Sequence, residues 1–338
     1  MASARTPLPL AVTMGEPAGV GGEILIKAFA AREKLGLPHF FAVADPNWLA
    51  DTARRLDLPL DVRIVREAVD VSPEPDGFLN VVRVELETNP EPGVPLDENA
   101  QAVIESIEHA VSYALAGQAS GVVTLPIQKA VLTRSGFRHP GHTEFLAHLC
   151  KTKSRPIMML AAEGLRVVPV TVHVALKDVA RSLTKDAIMA AARITHAALV
   201  GDFGLDKPRI AVAALNPHGG ESGTMGREEI EIIAPAIAAL QKEGIGVKGP
   251  FPADTLFHAG QRKKFDAVIC MYHDQALIPL KTIDFAGGVN VTLGLPIVRT
   301  SPDHGTALDI AGQGKADMTS FAAALKLAAA CAKRRLKA

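Results

Sequence analysis

Residues 266–273 read Asp-Ala-Val-Ile-Cys-Met-Tyr-His, and residues 166–173 read Arg-Val-Val-Pro-Val-Thr-Val-His. A half-exposed strand alternates apolar with polar residues. Runs that stay apolar at both parities, as in Val167–Val172 and Ala267–Met271, predict strands covered on both faces. Similar runs recur at Pro9–Met14, Phe40–Ala44, Gly121–Leu125, Arg209–Leu215 and Val289–Leu293. Helical periodicity fills stretches between them: Glu98–Ala116, Lys185–Val200, Arg227–Lys242 and Ser320–Lys333. The third of these follows Gly226, carries glutamates in its first turn and stops at Gly244, the polarity that the helix dipole favours. Strands alternating with helices predict an α/β fold built on a mostly parallel sheet. The chain shows no internal repeat and no low-complexity linker. The Pro-rich segment Ser72–Gly77 and the stretch Thr88–Pro95 read as loops, either of which suits a subdomain seam.

The chain has 338 residues, room for about two domains at about 150 residues each. Hydrophobic residues make up 48% and charged residues 21%, enough apolar material for a packed core. Lys plus Arg equals Asp plus Glu at 36 each, so no global field recruits nucleic acid or an anionic membrane. A local basic pocket for a small anion is still compatible with that balance. Cys150, Cys270 and Cys331 are odd in number, far apart and set in apolar stretches, which fits buried thiols in a reducing compartment. The opening segment has one basic residue and no uninterrupted apolar core, unlike a signal peptide. No apolar run approaches the roughly 20 residues of a membrane span. The expectation is a soluble, cytoplasmic protein.

Three histidines stand in equivalent contexts. His173 ends VVPVTVH, His218 follows IAVAALNP and His273 follows AVICMY, each at or just past the C-terminal end of an apolar strand. Ligands of open α/β sheets bind at such ends. Imidazole is the commonest transition-metal ligand, and three protein ligands leave a position open for substrate. A single histidine at a strand end is more often a hydrogen-bonded loop residue. Three in parallel, with Asp178, Asn216, Glu221, Asp274 and Gln275 available to orient them, predict a divalent metal site.

Other segments carry polar groups where chemistry would use them. Gly141-His142-Thr143-Glu144 opens an apolar helix, with Thr143 expected as its N-cap and His142 with Thr143 as the alternative pair of ligand contacts. Gly15-Glu16-Pro17-Ala18-Gly19-Val20-Gly21-Gly22 follows the first strand but has neither the dinucleotide-binding GxGxxG spacing nor a P-loop GK[ST], and reads as a tight strand-to-helix turn. Lys281, Asn290 and Arg299 punctuate an otherwise apolar stretch. The two cations suit a phosphate or carboxylate, or are solvated charges at strand ends. The loop from Ser301 to Gly312 enters a helix and can accept hydroxyls and phosphates of a nucleotide, with Asp309 placed to bond a ribose diol.

Taken together, GEPAGVGGEI, PGHTEFLA, VTVHVALKDV, LNPHGGESG, PADTLFH, MYHDQALIPLK and GVNVTLGLPIVRTSPDHGTALDIAGQGKAD resemble the 4-hydroxythreonine-4-phosphate dehydrogenase family, in order and over essentially the full chain. That family is in turn similar to isocitrate and isopropylmalate dehydrogenases, whose HG(S/T)AxDIAG loop resembles His304–Gly312. The resemblance implies a three-layer α/β/α architecture with two subdomains and an interdomain cleft. Residues 1–130 with 290–338 would form a first, cofactor-side part, and residues 131–289 a second, metal- and dimer-side part. It implies metal ligands at His173, His218 and His273, and substrate contacts at His142, Thr143, Lys281, Asn290 and Arg299. His304, Gly305 and Asp309 become contacts to NAD or NADP, with Asp309 favouring NAD by repelling a 2′-phosphate.

The same resemblance implies a reaction: oxidation at C3 of 4-phosphohydroxy-L-threonine, then decarboxylation of the β-keto acid to 3-amino-2-oxopropyl phosphate, in pyridoxal 5′-phosphate biosynthesis. One divalent ion (zinc, cobalt or magnesium) and a homodimer with shared active sites belong to that expectation. The general base stays open among Lys281, Asp254 and Asp274. Departures from the family pattern, Glu16 for Asp, Gly22 for Pro, Gly219 and Ser222 in the LNPH segment, and Leu125 and Gln128 before GHTEF, fall on none of these positions. Relatives acting on D-threonate or D-erythronate 4-phosphate, or on a dihydrodiol acid, are the alternative. A binding protein without catalysis is the other class considered.

Overall fold

The computed structural model describes residues 8–72 and 76–336. The chain divides into two compact units, one running up to Pro156 and resuming over Leu295–Leu336, the other covering Ile157–Gly294.

The first unit opens with strand β1 (Leu10–Thr13), helix α1 (Gly21–Ala30), the short α2 (Arg32–Leu35), β2 (Phe40–Ala44) and α3 (Pro46–Arg55). It continues through β3 (Val62–Val65), β4 (Leu79–Arg83), α4 (Ala100–Leu115), β5 (Val122–Val123), α5 (Lys129–Arg134) and α6 (His142–Leu149). In the second unit come β6 (Ile157–Ala162), β7 (Leu165–Thr171), α7 (Leu176–Ser182), α8 (Lys185–Gly201), β8 (Ile210–Ala213), α9 (Ala234–Lys242), β9 (Val247–Phe251), α10 (Ala253–Leu256), α11 (Ala259–Arg262), β10 (Ala267–Tyr272), α12 (His273–Ile283) and β11 (Val289–Leu293). The chain then returns to the first unit with β12 (Arg299–Pro302) and α13 (Thr319–Arg335).

Strands of the first unit run in the order β3-β4-β2-β1-β5-β12 with every pairing parallel. All four residues of β1 and all five of β2 are buried, so both faces are covered. Helices α4 and α13 pack on this sheet, and Phe29, Phe40 and Phe321 from α1, β2 and α13 stack edge to face. Burial at both parities is the property read from the apolar runs, and helices on the sheet's faces satisfy it.

In the second unit the order is β11-β6-β7-β10-β8-β9. From β7 to β9 the strands are parallel, whereas β6 pairs antiparallel with both β7 and β11. The antiparallel hairpin arises because Glu163-Gly164, with Gly164 at φ +73°, turns the chain back at once with no room for a crossover helix. Val167, Val268, Cys270, Ala276 and Leu280 lie in one buried cluster under α12.

The α/β reading is met. The Thr88–Pro95 loop lies inside the first unit. The Ser72–Gly77 segment falls partly on residues outside the described ones. No helix among the described residues is long and apolar enough to cross a membrane.

Candidate active site

In the second unit β7, β10 and β8 lie side by side, and their C-terminal ends lead into His173, His273 and His218. Side chains stitch these ends together. The Thr171 hydroxyl donates to the Met271 carbonyl at 2.8 Å. Buried Gln275 accepts from the Met271 amide at 2.7 Å and donates to the Ala214 carbonyl at 2.7 Å. The start of α12 is thereby held to the ends of both β10 and β8.

His273 begins α12, and its Nδ1 bonds the Asp274 carboxylate at 2.7 Å, which orients the ring and leaves Nε2 for a ligand. The His173 and His273 rings approach to 6.3 Å between centroids. Two imidazoles on one tetrahedral ion, with metal–nitrogen distances near 2.1 Å, hold their centroids roughly 5 Å apart. The pair is therefore within a small rotamer adjustment of sharing an ion. No group of three or more His, Cys, Asp or Glu among the described residues is arranged to hold a metal. The donor chemistry of the His173 and His273 pair suits a divalent ion.

His218 stands on an unusual turn. From His218 to Ser222 five consecutive residues have left-handed φ, and His218, Glu221 and Ser222 are not glycine. Each such residue costs about 1–2 kcal/mol, so something must hold the turn. Glu229, only 4% exposed, does so: its carboxylate accepts from the Leu215 and Asn216 amides at 2.8 and 2.7 Å and from Asn216 Nδ2 at 2.9 Å. Asn216 Nδ2 also donates to Glu228 at 2.7 Å.

The first unit contains a second polar cluster. His142 occupies the first position of α6 with Gly141 as cap, so Thr143 lies inside the first turn and is not the N-cap expected of it. His142 as a residue is half-buried, yet its Nε2 is shut off from solvent and has no hydrogen-bond partner among the described residues. Its pKa is held well below the ordinary imidazole value by burial, then by the charges of Arg299 and Lys129. Arg299 is 3% exposed at the start of β12 and donates to the Thr124 hydroxyl through Nε at 3.2 Å and Nη2 at 2.5 Å. Burial lowers its pKa to about 10, so it stays cationic at neutral pH. Lys129 and Thr124 were not singled out from sequence. Each lies just beyond β5, and only the parallel pairing of β5 with β12 brings Thr124 to Arg299.

The other candidates are more dispersed. Lys281 sits two turns beyond His273 on α12, its ammonium 5.4 Å from the centre of the Phe285 ring. Asn290 is half-buried on β11, opposite Leu160. Asp254 is exposed on α10, and Asp274 is engaged with His273. His304 Nδ1 meets the Gly305 carbonyl at 2.9 Å, while its Nε2 is buried without a partner among the described residues. Asp309 is exposed.

This loop abuts the Gly15–Gly22 turn: the Thr306 carbonyl accepts from the Val20 amide at 3.0 Å, and a Cβ at Gly19 would lie 2.8 Å from it. Gly15 takes φ +69° beneath Leu125, confirming the tight strand-to-helix turn. A cavity of about 220 Å³ opens beside it, lined by Pro17, Gly19, Trp48, Arg55, Pro92 and Gly312. Burial of Glu16 raises its carboxyl pKa against the opposing hydrogen bond from the Ala18 amide.

Residues 37–328 match the family described as pyridoxal phosphate biosynthetic protein PdxA. A 4-hydroxythreonine-4-phosphate dehydrogenase of Methylorubrum populi is 50% identical, covering 96% of this chain and 95% of its own. The crystal structure of 4-hydroxythreonine-4-phosphate dehydrogenase from Klebsiella pneumoniae superposes with a TM-score of 0.88 at 39% identity, covering 96% of this chain and 99% of that one. A terephthalate 1,2-cis-dihydrodiol dehydrogenase from Burkholderia xenovorans is more distant, with a TM-score of 0.65 at 27% identity over 96% of this chain and 98% of that one. On the extent of these matches, the chain belongs to the PdxA family of pyridoxal phosphate biosynthetic proteins.

Proposed function

We propose that the protein is a 4-hydroxythreonine-4-phosphate dehydrogenase: it oxidises the C3 hydroxyl of 4-phosphohydroxy-L-threonine, and the β-keto acid loses carbon dioxide to give 3-amino-2-oxopropyl phosphate. The observation that carries this reading is 50% identity to enzymes of that name along nearly the whole of both chains. The dihydrodiol dehydrogenase, at 27%, makes a non-phosphorylated acid the competing substrate class. The buried Arg299 beside a neutral imidazole favours an anionic group.

NAD or NADP, when bound, would accept the C3 hydrogen as hydride, and the hydroxyl proton would pass to a base. In the keto acid the bond to the carboxyl carbon then breaks, its electron pair entering the ketone before reprotonation. We assign the divalent ion (zinc, cobalt or magnesium) to His173, His218 and His273, where it would polarise the reacting hydroxyl and stabilise developing negative charge. The ligands would come from two copies of a homodimer, in keeping with the lack of a three-ligand group among the described residues of one chain. Asp274 sets the orientation of His273 through Nδ1.

Substrate contacts are assigned to His142, Thr143, Lys281, Asn290 and Arg299, of which Arg299 has the fixed guanidinium that bidentate anion binding needs. His304, Gly305 and Asp309 are assigned to the cofactor, next to the cavity at Trp48 and Gly312. The base is one of Lys281, Asp254 and Asp274; of these, Asp274 is already engaged with His273. The expected setting is the cytoplasm.

The test is direct. Purified protein with a divalent ion and either nicotinamide cofactor should form NADH or NADPH on 4-phosphohydroxy-L-threonine. Turnover of D-threonate or D-erythronate 4-phosphate, or of a dihydrodiol acid, with none on that substrate would overturn the assignment. Binding without any turnover would point to a protein that kept the fold and lost the chemistry.

A further inference from the structure

We propose that Lys129 is an additional substrate-binding residue, joining Arg299 and His142 to hold the substrate's phosphate. This inference rests on the dehydrogenase reading and adds a residue to its substrate set.

The argument begins with what surrounds His142. Its Nε2 is sealed from solvent with no partner among the described residues, a costly state for a polar atom. The charged groups felt by the ring are the Arg299 guanidinium and the Lys129 ammonium, both hydrogen-bond donors only. A neutral imidazole whose Nε2 carries hydrogen, set among donors, lacks an acceptor. In that tautomer Nε2 would donate to an incoming acceptor, and the two cations beside the ring favour one that carries negative charge. A phosphate monoester brings three such oxygens and close to two charges near neutral pH. Arg299 supplies one positive charge; a dianion calls for a second.

Lys129 is placed to supply it. Its side chain lies across Gly141: a Cβ on that glycine would sit 3.4 Å from Lys129 Cε and 3.6 Å from Nζ. Gly141 has φ 177°, extended backbone open to any residue, so its small size is explained by the approach of the lysine and not by conformation. The ammonium thus rests against the residue immediately before His142. The neighbouring acid, Glu144, has its Oε2 3.8 Å from the same Cβ position, and its Oε1 lies 3.5 Å from Arg155. Lys129 is exposed and enters no ion pair among the described residues, so its charge is available to an incoming anion.

Lys129→Met and Lys129→Arg in the full-length protein test this, with steady-state kinetics on 4-phosphohydroxy-L-threonine and calorimetric titration with inorganic phosphate. Loss of a charge-assisted bond to phosphate should raise KM at least about tenfold in Lys129→Met while kcat changes little. Phosphate binding should weaken in parallel, and Lys129→Arg should recover most of both. The thermal midpoint should stay where it is, since the side chain is exposed. Unchanged KM and phosphate affinity in Lys129→Met would overturn the proposal, as would a fall in kcat at constant KM. Wild-type protein that binds phosphate in a Lys129-dependent way yet never turns over the substrate would sink the dehydrogenase reading and leave the anion pocket standing. Wild-type protein that binds no phosphate would sink the pocket.

Discussion

Glu229→Ala should loosen the turn that carries His218, and its cost can be worked from the structure. The carboxylate is buried and accepts three hydrogen bonds, from the amides of Leu215 and Asn216 and from Asn216 Nδ2. Bonds to a charged acceptor are worth about 1.5–3 kcal/mol each and do not add in full, and two backbone amides lose their acceptor. The expected loss is about 3–5 kcal/mol, a large share of the 5–15 kcal/mol typical of a folded chain. Against this clamp works the left-handed backbone of His218, Glu221 and Ser222, at about 1–2 kcal/mol per residue. Without Glu229 the turn should relax and His218 should leave its place. Urea unfolding measures the first effect, and zinc or cobalt retained after dialysis measures the second. Glu229→Gln keeps one oxygen for the backbone amides but turns an amide donor towards Asn216 Nδ2, so it should fall between wild type and Glu229→Ala. A loss under about 1 kcal/mol would refute the clamp. A large loss with metal content unchanged would refute the link from clamp to His218.

Four shorter predictions follow from the same geometry. Burial depresses the His142 pKa in the folded state, so as pH drops below 6.5 the unfolded chain takes up this proton first. Stability should be complete above that pH and fall below it by up to about 1.4 kcal/mol per unit, a slope that His142→Asn should flatten in urea titrations run at several pH values. A Cβ at Gly22 would lie 2.7 Å from the Trp48 ring, so Gly22→Val should destabilise by about 1–3 kcal/mol and raise KM for the nicotinamide cofactor more than for the substrate. Gln275→Leu strands the Met271 amide and the Ala214 carbonyl and should lower the urea midpoint and the affinity for zinc together; equal affinity would deny Gln275 a role in aligning the strand ends. Treatment with a chelator should abolish turnover, and added divalent ion should restore it.

Periodic elements were legible in the sequence: α4, α8 and α13 lie within a residue or two of the expected stretches, and β2 and β11 match theirs. Where the reading failed, local chemistry pointed elsewhere. Strand β6, Ile-Met-Met-Leu-Ala-Ala, is rich in good helix formers and becomes a strand only through its two antiparallel partners. In β12, Arg-Thr-Ser-Pro is polar yet wholly buried, because Arg299 finds Thr124 and the Thr300 hydroxyl finds the Ala324 carbonyl. Thr143 looked like a cap because threonine favours that position, but Gly141 leaves room for Lys129 there. The strand-end histidines were visible as a pattern. The pairing of His173 with His273, and the left-handed turn at His218, depend on strand order and on Glu229 far along the chain.

The division of the chain has a consequence for synthesis. Ile157–Gly294 is contiguous and contains six neighbouring strands, β6 to β11, so it can close as soon as it has left the ribosome. The other unit emerges first but must wait, because β5 lacks its β12 neighbour, and the Phe29–Phe40 pair lacks Phe321, until the final 44 residues arrive. The edge of β5 stays open meanwhile, a site where a nascent strand could pair wrongly. A chain whose synthesis stalls once Gly294 has cleared the ribosome would thus carry a finished second half and an unfinished first, the reverse of the order of translation.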